Sequence, residues 1–117
     1  MAQTTLILLA HGSSKNSASR SATERLADRV RLGRPFHGVR VAFLEEPPSL
    51  NDAALESPGP IIVAGLFAGN GLHGADDVAH LMAALRRDDV VFAGNIAAFP
   101  ELADVVAATV ERARGAN

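Results

Sequence analysis

The sequence contains no cysteine, tryptophan or tyrosine. The absence of cysteine excludes disulfides, thiolate zinc sites, iron–sulfur clusters and a cysteine nucleophile. The absence of tyrosine removes the phenol as an acid or base and leaves five phenylalanines as the platform for stacking. Acid–base or metal chemistry is therefore expected to depend on the four histidines and on the carboxylates.

Long apolar runs are also missing. The runs at 6–10 (LILLA) and 60–64 (PIIVA) are far shorter than the roughly 20 residues of a membrane-spanning helix. The N-terminus lacks the basic, apolar and cleavage regions of a signal peptide, so we expect a cytoplasmic protein with no membrane contact. A length of 117 residues, 48% of them hydrophobic and 21% charged, predicts one globular domain over 1–117.

The net charge of −2 conceals an uneven distribution. Residues 1–40 hold seven basic and two acidic residues, a net charge of +5, whereas residues 41–117 hold four basic and eleven acidic residues, a net charge of −7. Most of the basic excess lies in one helical stretch. These basic side chains either form a solvated helix face or, in the case of Lys15 and Arg20 near the start of the helix, contact an anionic ligand. The overall balance gives no indication of nucleic-acid binding.

Apolar runs alternate with amphipathic stretches along the whole chain. Strands are predicted at 4–10, 39–44, 61–66 and 90–93, and helices at 17–32, 49–56, 76–87 and 100–115. The face predicted to be buried in the first helix follows a four-residue spacing: Ala18, Ala22, Leu26 and Val30. Ser49 and Asp52 have the spacing of a helix cap, and Arg86 with Arg87 is placed in the last turn of the third helix.

This order of elements predicts a three-layer α/β/α fold. Its four-stranded parallel sheet is expected to have the strand order 2-1-3-4, with helices on both faces because right-handed crossovers cover both. The direction of winding then reverses between strands one and three. Ligands of such sheets bind beyond the carboxyl ends of the strands at that reversal, so function should follow strands one and three.

Two histidines and a carboxylate lie at that predicted edge. His11 follows strand one, Glu45 follows strand two and His73 follows strand three, and each histidine precedes a glycine that permits a tight turn. Two neutral imidazoles and a carboxylate suit a first-row divalent metal, and also proton abstraction near neutral pH. Asp77, one helical turn after His73, either orients that ring or supplies charge at a helix start. His37, at the opposite edge, is expected to have no role, and His80 is expected to be a half-buried or surface residue of the helix rather than a ligand.

Four segments resemble the class II tetrapyrrole chelatases. Residues 8–13 (LLAHGS) are similar to the opening motif of the family, and 42–45 (AFLE) with 48–50 (PSL) to its second-strand motif. Residues 66–73 (LFAGNGLH) with Asp77 resemble the third motif, and 99–102 (FPEL) the entry to the final helix. The match keeps order and spacing over nearly the whole chain, and the size fits the small CbiX type, the sirohydrochlorin cobaltochelatases that act as homodimers.

The resemblance implies a lyase that inserts Co²⁺, Ni²⁺ or Fe²⁺ into sirohydrochlorin or a related tetrapyrrole without ATP, in cobalamin or siroheme biosynthesis. It assigns both metal binding and catalysis to His11, His73 and Glu45. The metal is a substrate, and no organic cofactor is implied. Contacts with the tetrapyrrole are expected from Ser13, Ser14 and Asn70. A single lobe would form half of a cleft for a flat macrocycle, so a second copy is expected to complete it.

The sequence departs from the family pattern at Gly65, where proline is frequent, and at Gly69-Asn70, where bulkier residues are common. The residues do not rank the three metals, since all accept imidazole and carboxylate ligands. A hydrolase is disfavoured because Phe67 stands where a nucleophile elbow needs serine. The alternative from another class is a non-catalytic protein of the same fold that binds a metal or a tetrapyrrole.

Overall fold

The computed structural model describes residues 3–13, 15–33, 36–66, 75–96 and 101–115, without the side chains of 75–77 and 102. Each predicted element is present. The strands are β1 (Thr5–Ala10), β2 (Gly38–Phe43), β3 (Ile61–Gly65) and β4 (Val90–Asn95). The helices are α1 (Ala18–Gly33), α2 (Leu50–Leu55), α3 (Ala75–Ala84) and α4 (Glu101–Gly115). Within these ranges no helix has the length and hydropathy needed to cross a membrane.

The four strands form one parallel sheet in the order β2-β1-β3-β4, which confirms the predicted topology. β1 is central, and all six of its residues are buried, as its uninterrupted apolar run predicted. Ala10 at the end of β1 is paired with Phe43 at the end of β2, while Leu9 is paired with Gly65 at the end of β3. The carboxyl ends of these three strands therefore meet at one edge, where the winding reverses.

Apolar side chains pack on both faces of the sheet. On one face, Ile7, Leu9 and Val63 pack against the buried side chains of α2 and α3, including Leu50 and Val78. On the other face, Leu6, Leu8 and Val39 of the sheet pack against Ala27 of α1. Each fully buried Leu, Ile or Val contributes roughly 1.5–3 kcal/mol. Because both clusters include residues of β1, this strand joins the two halves of the core.

The buried face of α1 differs from the predicted one. Its buried residues are Thr23 and Ala27, whereas Ala18 and Ala22 are exposed and Leu26 is 39% exposed. Of the predicted set, Val30 is partly buried against the core. Thr23 can be buried because its hydroxyl donates to the Ser19 carbonyl at 2.9 Å, which satisfies the polar group. The apolar spacing was misleading because polar Thr23 occupies the buried face and apolar Leu26 lies beside it.

The C-terminus of α3 also corrects a prediction. The helix ends at Ala84, and Arg86 has a positive φ of 53°, so Arg86 and Arg87 lie beyond the helix rather than in its last turn. Arg87 instead donates hydrogen bonds to the carbonyls of Ala54, Ser57 and Gly59 and to the Asp89 carboxylate. This arginine clamp joins the chain before β3 to the chain before β4, at the edge opposite the predicted site.

The sheet face that carries α1 is open at β4. In this strand Val90 and Phe92 pack into the core, whereas Val91 is 60% exposed and Ala93 is also exposed. Every described side chain of α4 is exposed, including those of Val105, Val106 and Val110. A sheet face and a helix face of matching apolar character thus both face solvent in the single chain.

Candidate active site

The carboxyl ends of β1 and β2 hold His11 and Glu45 close together. His11 directly follows β1, and its carbonyl accepts hydrogen bonds from the N–H groups of Leu44 and Glu45 at 3.2 and 3.0 Å. The backbone pairing between the two strands therefore continues past their ends. His11 Nδ1 lies 3.7 Å from Glu45 Oε2, and the two side chains are 45% and 51% exposed. The structure thus brings an imidazole and a carboxylate together, both within reach of a ligand.

The His11 ring has a defined partner on its Nδ1 side. Nδ1 lies 3.1 Å from the Gly12 carbonyl oxygen. Because a carbonyl oxygen can only accept, Nδ1 is the donor, and in the neutral ring Nε2 is the nitrogen that carries a lone pair. The Glu45 carboxylate, 3.7 Å from Nδ1, is too distant for a hydrogen bond. An imidazole nitrogen and a carboxylate are both groups that can bind a divalent cation.

Gly12 allows the chain to turn directly after His11. Its φ is +73°, a conformation that side chains rarely adopt, and a Cβ there would lie 2.8 Å from Phe43 Cβ. It would also lie 3.0 Å from the Glu46 side chain. The predicted tight turn after His11 is confirmed, and the close approach of Phe43 gives a second reason for glycine at this position.

Two side chains that the sequence analysis did not place in this region also lie here. Glu46 Oε2 accepts a hydrogen bond from the Ser13 N–H at 2.6 Å, and Glu46 Oε1 lies 3.5 Å from Arg20 Nη1. Arg20, for which the sequence left open a solvated helix face or contact with an anionic ligand, contacts protein groups here. The sequence shows two adjacent glutamates after β2, but their adjacency does not predict which carboxylate is buried.

Ser13 was predicted to contact the tetrapyrrole. Its N–H is engaged by Glu46, and its hydroxyl oxygen accepts from the Lys15 N–H at 3.1 Å. The hydroxyl retains one hydrogen that it can donate to an acceptor. Any contact between Ser13 and substrate would therefore come from the side chain and not from the backbone N–H.

β3 ends beside β1, and Leu66 N–H donates to the Leu9 carbonyl at 2.8 Å. Several predicted site residues lie outside the described residues: Ser14, Asn70 and His73. Asp77 lies in the first turn of α3, but its side chain is not described. Within the described side chains, no group of three or more histidine and carboxylate residues could hold a metal ion. Of the predicted metal ligands, His11 and Glu45 are the two that the structure places together.

The two remaining described histidines lie on other elements. His37 precedes β2 at the opposite edge of the sheet, where its N–H donates to the Thr4 carbonyl, and His80 is exposed on α3. A groove of about 620 Å³ also lies away from the pair, along the outer edge of β2, and Arg31, Arg40 and Glu56 are among its lining residues. Neither His11 nor Glu45 lines this groove.

Comparison with known proteins agrees with this fold. The crystal structure of a CbiX protein from Marinobacter aquaeolei VT8, assigned to cobalamin (vitamin B12) biosynthesis, superposes with a TM-score of 0.76 at 24% sequence identity. The alignment covers 97% of this chain and 99% of that one. A comparison with curated proteins found none that matches.

The family model named CbiX matches residues 5–113, from the first residue of β1 to within α4. That range includes every motif on which the resemblance to the class II chelatases rests. The chain therefore belongs to the CbiX family of tetrapyrrole metal chelatases.

Proposed function

We propose that this protein inserts Co²⁺ into sirohydrochlorin or a related tetrapyrrole without ATP, with Ni²⁺ and Fe²⁺ as the competing metal substrates. The observation that carries the proposal is the His11–Glu45 pair at the carboxyl ends of β1 and β2. It lies beside the point where the winding of the sheet reverses, which is where ligands of this fold class bind. Family membership supports the reaction class.

Metal insertion requires that water be stripped from the metal and that two pyrrole protons be removed. A neutral imidazole can bind a divalent ion through its lone pair, here at His11 Nε2, and can then accept a proton. Glu45, 3.7 Å from the opposite ring nitrogen, stabilises the imidazolium that forms. We propose His73 as the second imidazole of the site, together with Asp77 as the residue that orients it. Ser13, Ser14 and Asn70 are proposed to contact the macrocycle.

Anaerobic incubation of the purified protein with sirohydrochlorin and each metal, followed through the absorption band of the macrocycle, tests the proposal. We expect a rate well above the spontaneous reaction with at least one of the three metals, and a loss of most of that rate in His11→Ala and in His73→Ala. If none of the three metals is inserted faster than in buffer, the proposed enzymatic activity is wrong, and a non-catalytic protein that binds a metal or a tetrapyrrole is favoured. Full activity in both variants would overturn the site.

We also propose that the protein acts as a homodimer. The support is the pair of unmatched apolar surfaces within one chain: the β4 face at Val91 and the α4 stripe at Val105, Val106 and Val110. A second copy can bury both, since two-fold symmetry would place the helix of each copy on the sheet of its partner. The same symmetry would generate two equivalent clefts for the macrocycle.

Light scattering at working concentration tests the dimer. We expect twice the mass of one chain for the wild type and a shift toward monomer in Val106→Asp. The matched control is Ala108→Asp, which places the same charge on the other side of α4 and should remain dimeric. An active monomer of the wild type would contradict this arrangement.

A further inference from the structure

Glu46 is mostly buried next to the exposed Glu45. Its side chain is 11% exposed, compared with 51% for Glu45. One carboxylate oxygen accepts the Ser13 N–H at 2.6 Å, and the other faces Arg20 at 3.5 Å. A largely buried carboxylate is stable only when hydrogen bonds and an opposite charge compensate its lost hydration, and both are supplied here.

Arg20 is itself held by groups from the end of β2, from the connection between β2 and α2, and from its own helix. Its Nη1 donates to the Pro47 carbonyl at 2.6 Å, and its guanidinium carbon lies 5.5 Å from the centre of the Phe43 ring. On the solvent side, its Nε is 3.4 Å from Glu24. Through these contacts Arg20 links α1 to the segment that follows β2, and it does so beside the Glu46 carboxylate.

The turn at residues 11–13 is thereby fixed at both of its ends. At the first end, the His11 carbonyl accepts from the N–H groups of Leu44 and Glu45. At the other end, the Ser13 N–H is bound by Glu46. Gly12 between them fits directly against Phe43, with no room for a side chain. The direction in which the His11 side chain leaves the turn is therefore determined by these contacts.

We propose that Glu46 is a positioning residue for the His11–Glu45 pair, acting through the Ser13 N–H and Arg20 rather than on the substrate. The inference rests on the proposed function, because it assumes that the pair carries the chemistry. An ionised carboxylate suits the position, since a charged acceptor binds an N–H more strongly than a neutral one and also compensates Arg20. A displacement of a reacting group by about 1 Å can cost about a hundredfold in rate. Contacts that hold the His11 turn in place would therefore affect the rate of metal insertion.

The experiment compares Glu46→Ala and Glu46→Gln with Glu24→Gln. Glu24→Gln is the matched control because it also removes a carboxylate from Arg20 but leaves the turn untouched. We measure Ser13 amide hydrogen exchange, the affinity for Co²⁺ alone, and kcat and KM for sirohydrochlorin. Glu46→Ala should speed Ser13 exchange about tenfold. It should also weaken Co²⁺ binding and lower kcat by about ten- to a hundredfold. KM should change little, Glu46→Gln should recover part of each effect, and Glu24→Gln should match the wild type.

The outcomes separate this inference from the proposed function. Faster Ser13 exchange with unchanged Co²⁺ affinity and unchanged kcat would show that Glu46 is only structural and would overturn the inference. If the wild type inserts no metal, the proposed function fails, and Co²⁺ affinity in the two Glu46 variants still decides whether Glu46 positions the pair. Glu46→Gln retains an isosteric acceptor for Ser13, which keeps the test valid if Glu46→Ala does not fold.

Discussion

Glu45 and Glu46 are adjacent carboxylates with opposite environments: the first is half exposed beside His11, and the second is nearly buried against Ser13 and Arg20. The N–H of Glu45 donates to the His11 carbonyl, so Glu45 is held next to His11 by the backbone as well. One carboxylate is thus exposed beside the imidazole, while the other is bonded to the turn that follows it. This division of roles makes the two residues separable by substitution.

Replacement of the exposed carboxylate should affect chemistry without affecting stability. In Glu45→Gln, the charge beside His11 Nδ1 is lost, so we expect the rate of metal insertion to fall by about tenfold or more. The free energy of unfolding should change by less than about 1 kcal/mol, because exposed ion pairs contribute little. Glu56→Gln, which removes an exposed carboxylate paired with Arg40, is the control and should keep full activity. Wild-type activity in Glu45→Gln would remove Glu45 from the site.

Gly12→Ala should be strongly destabilising. The new Cβ would meet Phe43 Cβ at 2.8 Å and would require a side chain at a φ of +73°. Strain and overpacking together should lower the free energy of unfolding by about 2–4 kcal/mol, measured by urea denaturation at one protein concentration. Gly38→Ala is the control, since no atom lies within 4 Å of a Cβ there, and its stability should be close to that of the wild type. A loss below about 0.5 kcal/mol in Gly12→Ala would show that the turn adapts.

Two alanines of α1 distinguish the observed helix orientation from the one expected from apolar spacing. Ala27 is fully buried, whereas Ala22 is exposed. Ala27→Leu should lower the free energy of unfolding by about 1–3 kcal/mol because the core has no space for the added atoms. Ala22→Leu should change it by less than about 0.5 kcal/mol. The reverse order of effects would favour the face formed by Ala18, Ala22 and Leu26.

The arginine clamp gives a pH-dependent contribution to stability. A hydrogen bond from Arg87, followed by its charge, holds the pKa of Asp89 below its usual value. A carboxyl whose pKa is lowered by folding stabilises the protein above the pKa of the unfolded state, about 3.9, and this stabilisation is lost as the pH falls through the folded-state value. Asp89→Asn should therefore be less stable than the wild type at pH 7, and the difference should diminish below about pH 4.

Urea unfolding at several pH values measures this difference. Asp88→Asn is the control, because it removes an adjacent exposed carboxylate and leaves Asp89 with Arg87. A constant difference between Asp89→Asn and the wild type across the acid range would show that the ion pair contributes nothing through its charge.

The strands and their order could be predicted because continuous apolar runs and regular alternation with helices leave few alternatives. The cap at Ser49 was also predictable, since its hydroxyl accepts the Asp52 N–H at 3.1 Å within four consecutive residues. Such features depend on local chemistry or on the period of the pattern. The same holds for the turn after His11, where glycine directly follows the histidine.

The features that were not predicted depend on contacts between distant segments. The rotation of α1 is set by which residues meet the sheet, and a threonine that bonds its own helix can be buried there as easily as an alanine. The burial of Glu46 depends on Arg20, 26 positions earlier, and on the Ser13 N–H. The shortened α3 follows from the reach of Arg87 to carbonyls about 30 residues away. The spacing of residues within one segment does not predict any of these contacts.

The position of the arginine clamp has a consequence for how this chain can change over evolutionary time. Arg87 secures the turns at the amino ends of β3 and β4, far from the His11–Glu45 edge. The contacts that hold these turns are all at the amino ends of the strands. Insertions or substitutions in the loops after β1, β2 or β3, at the carboxyl ends, therefore need not weaken them. Loops at the carboxyl ends of the strands can therefore change in length or sequence while the amino ends of β3 and β4 stay anchored.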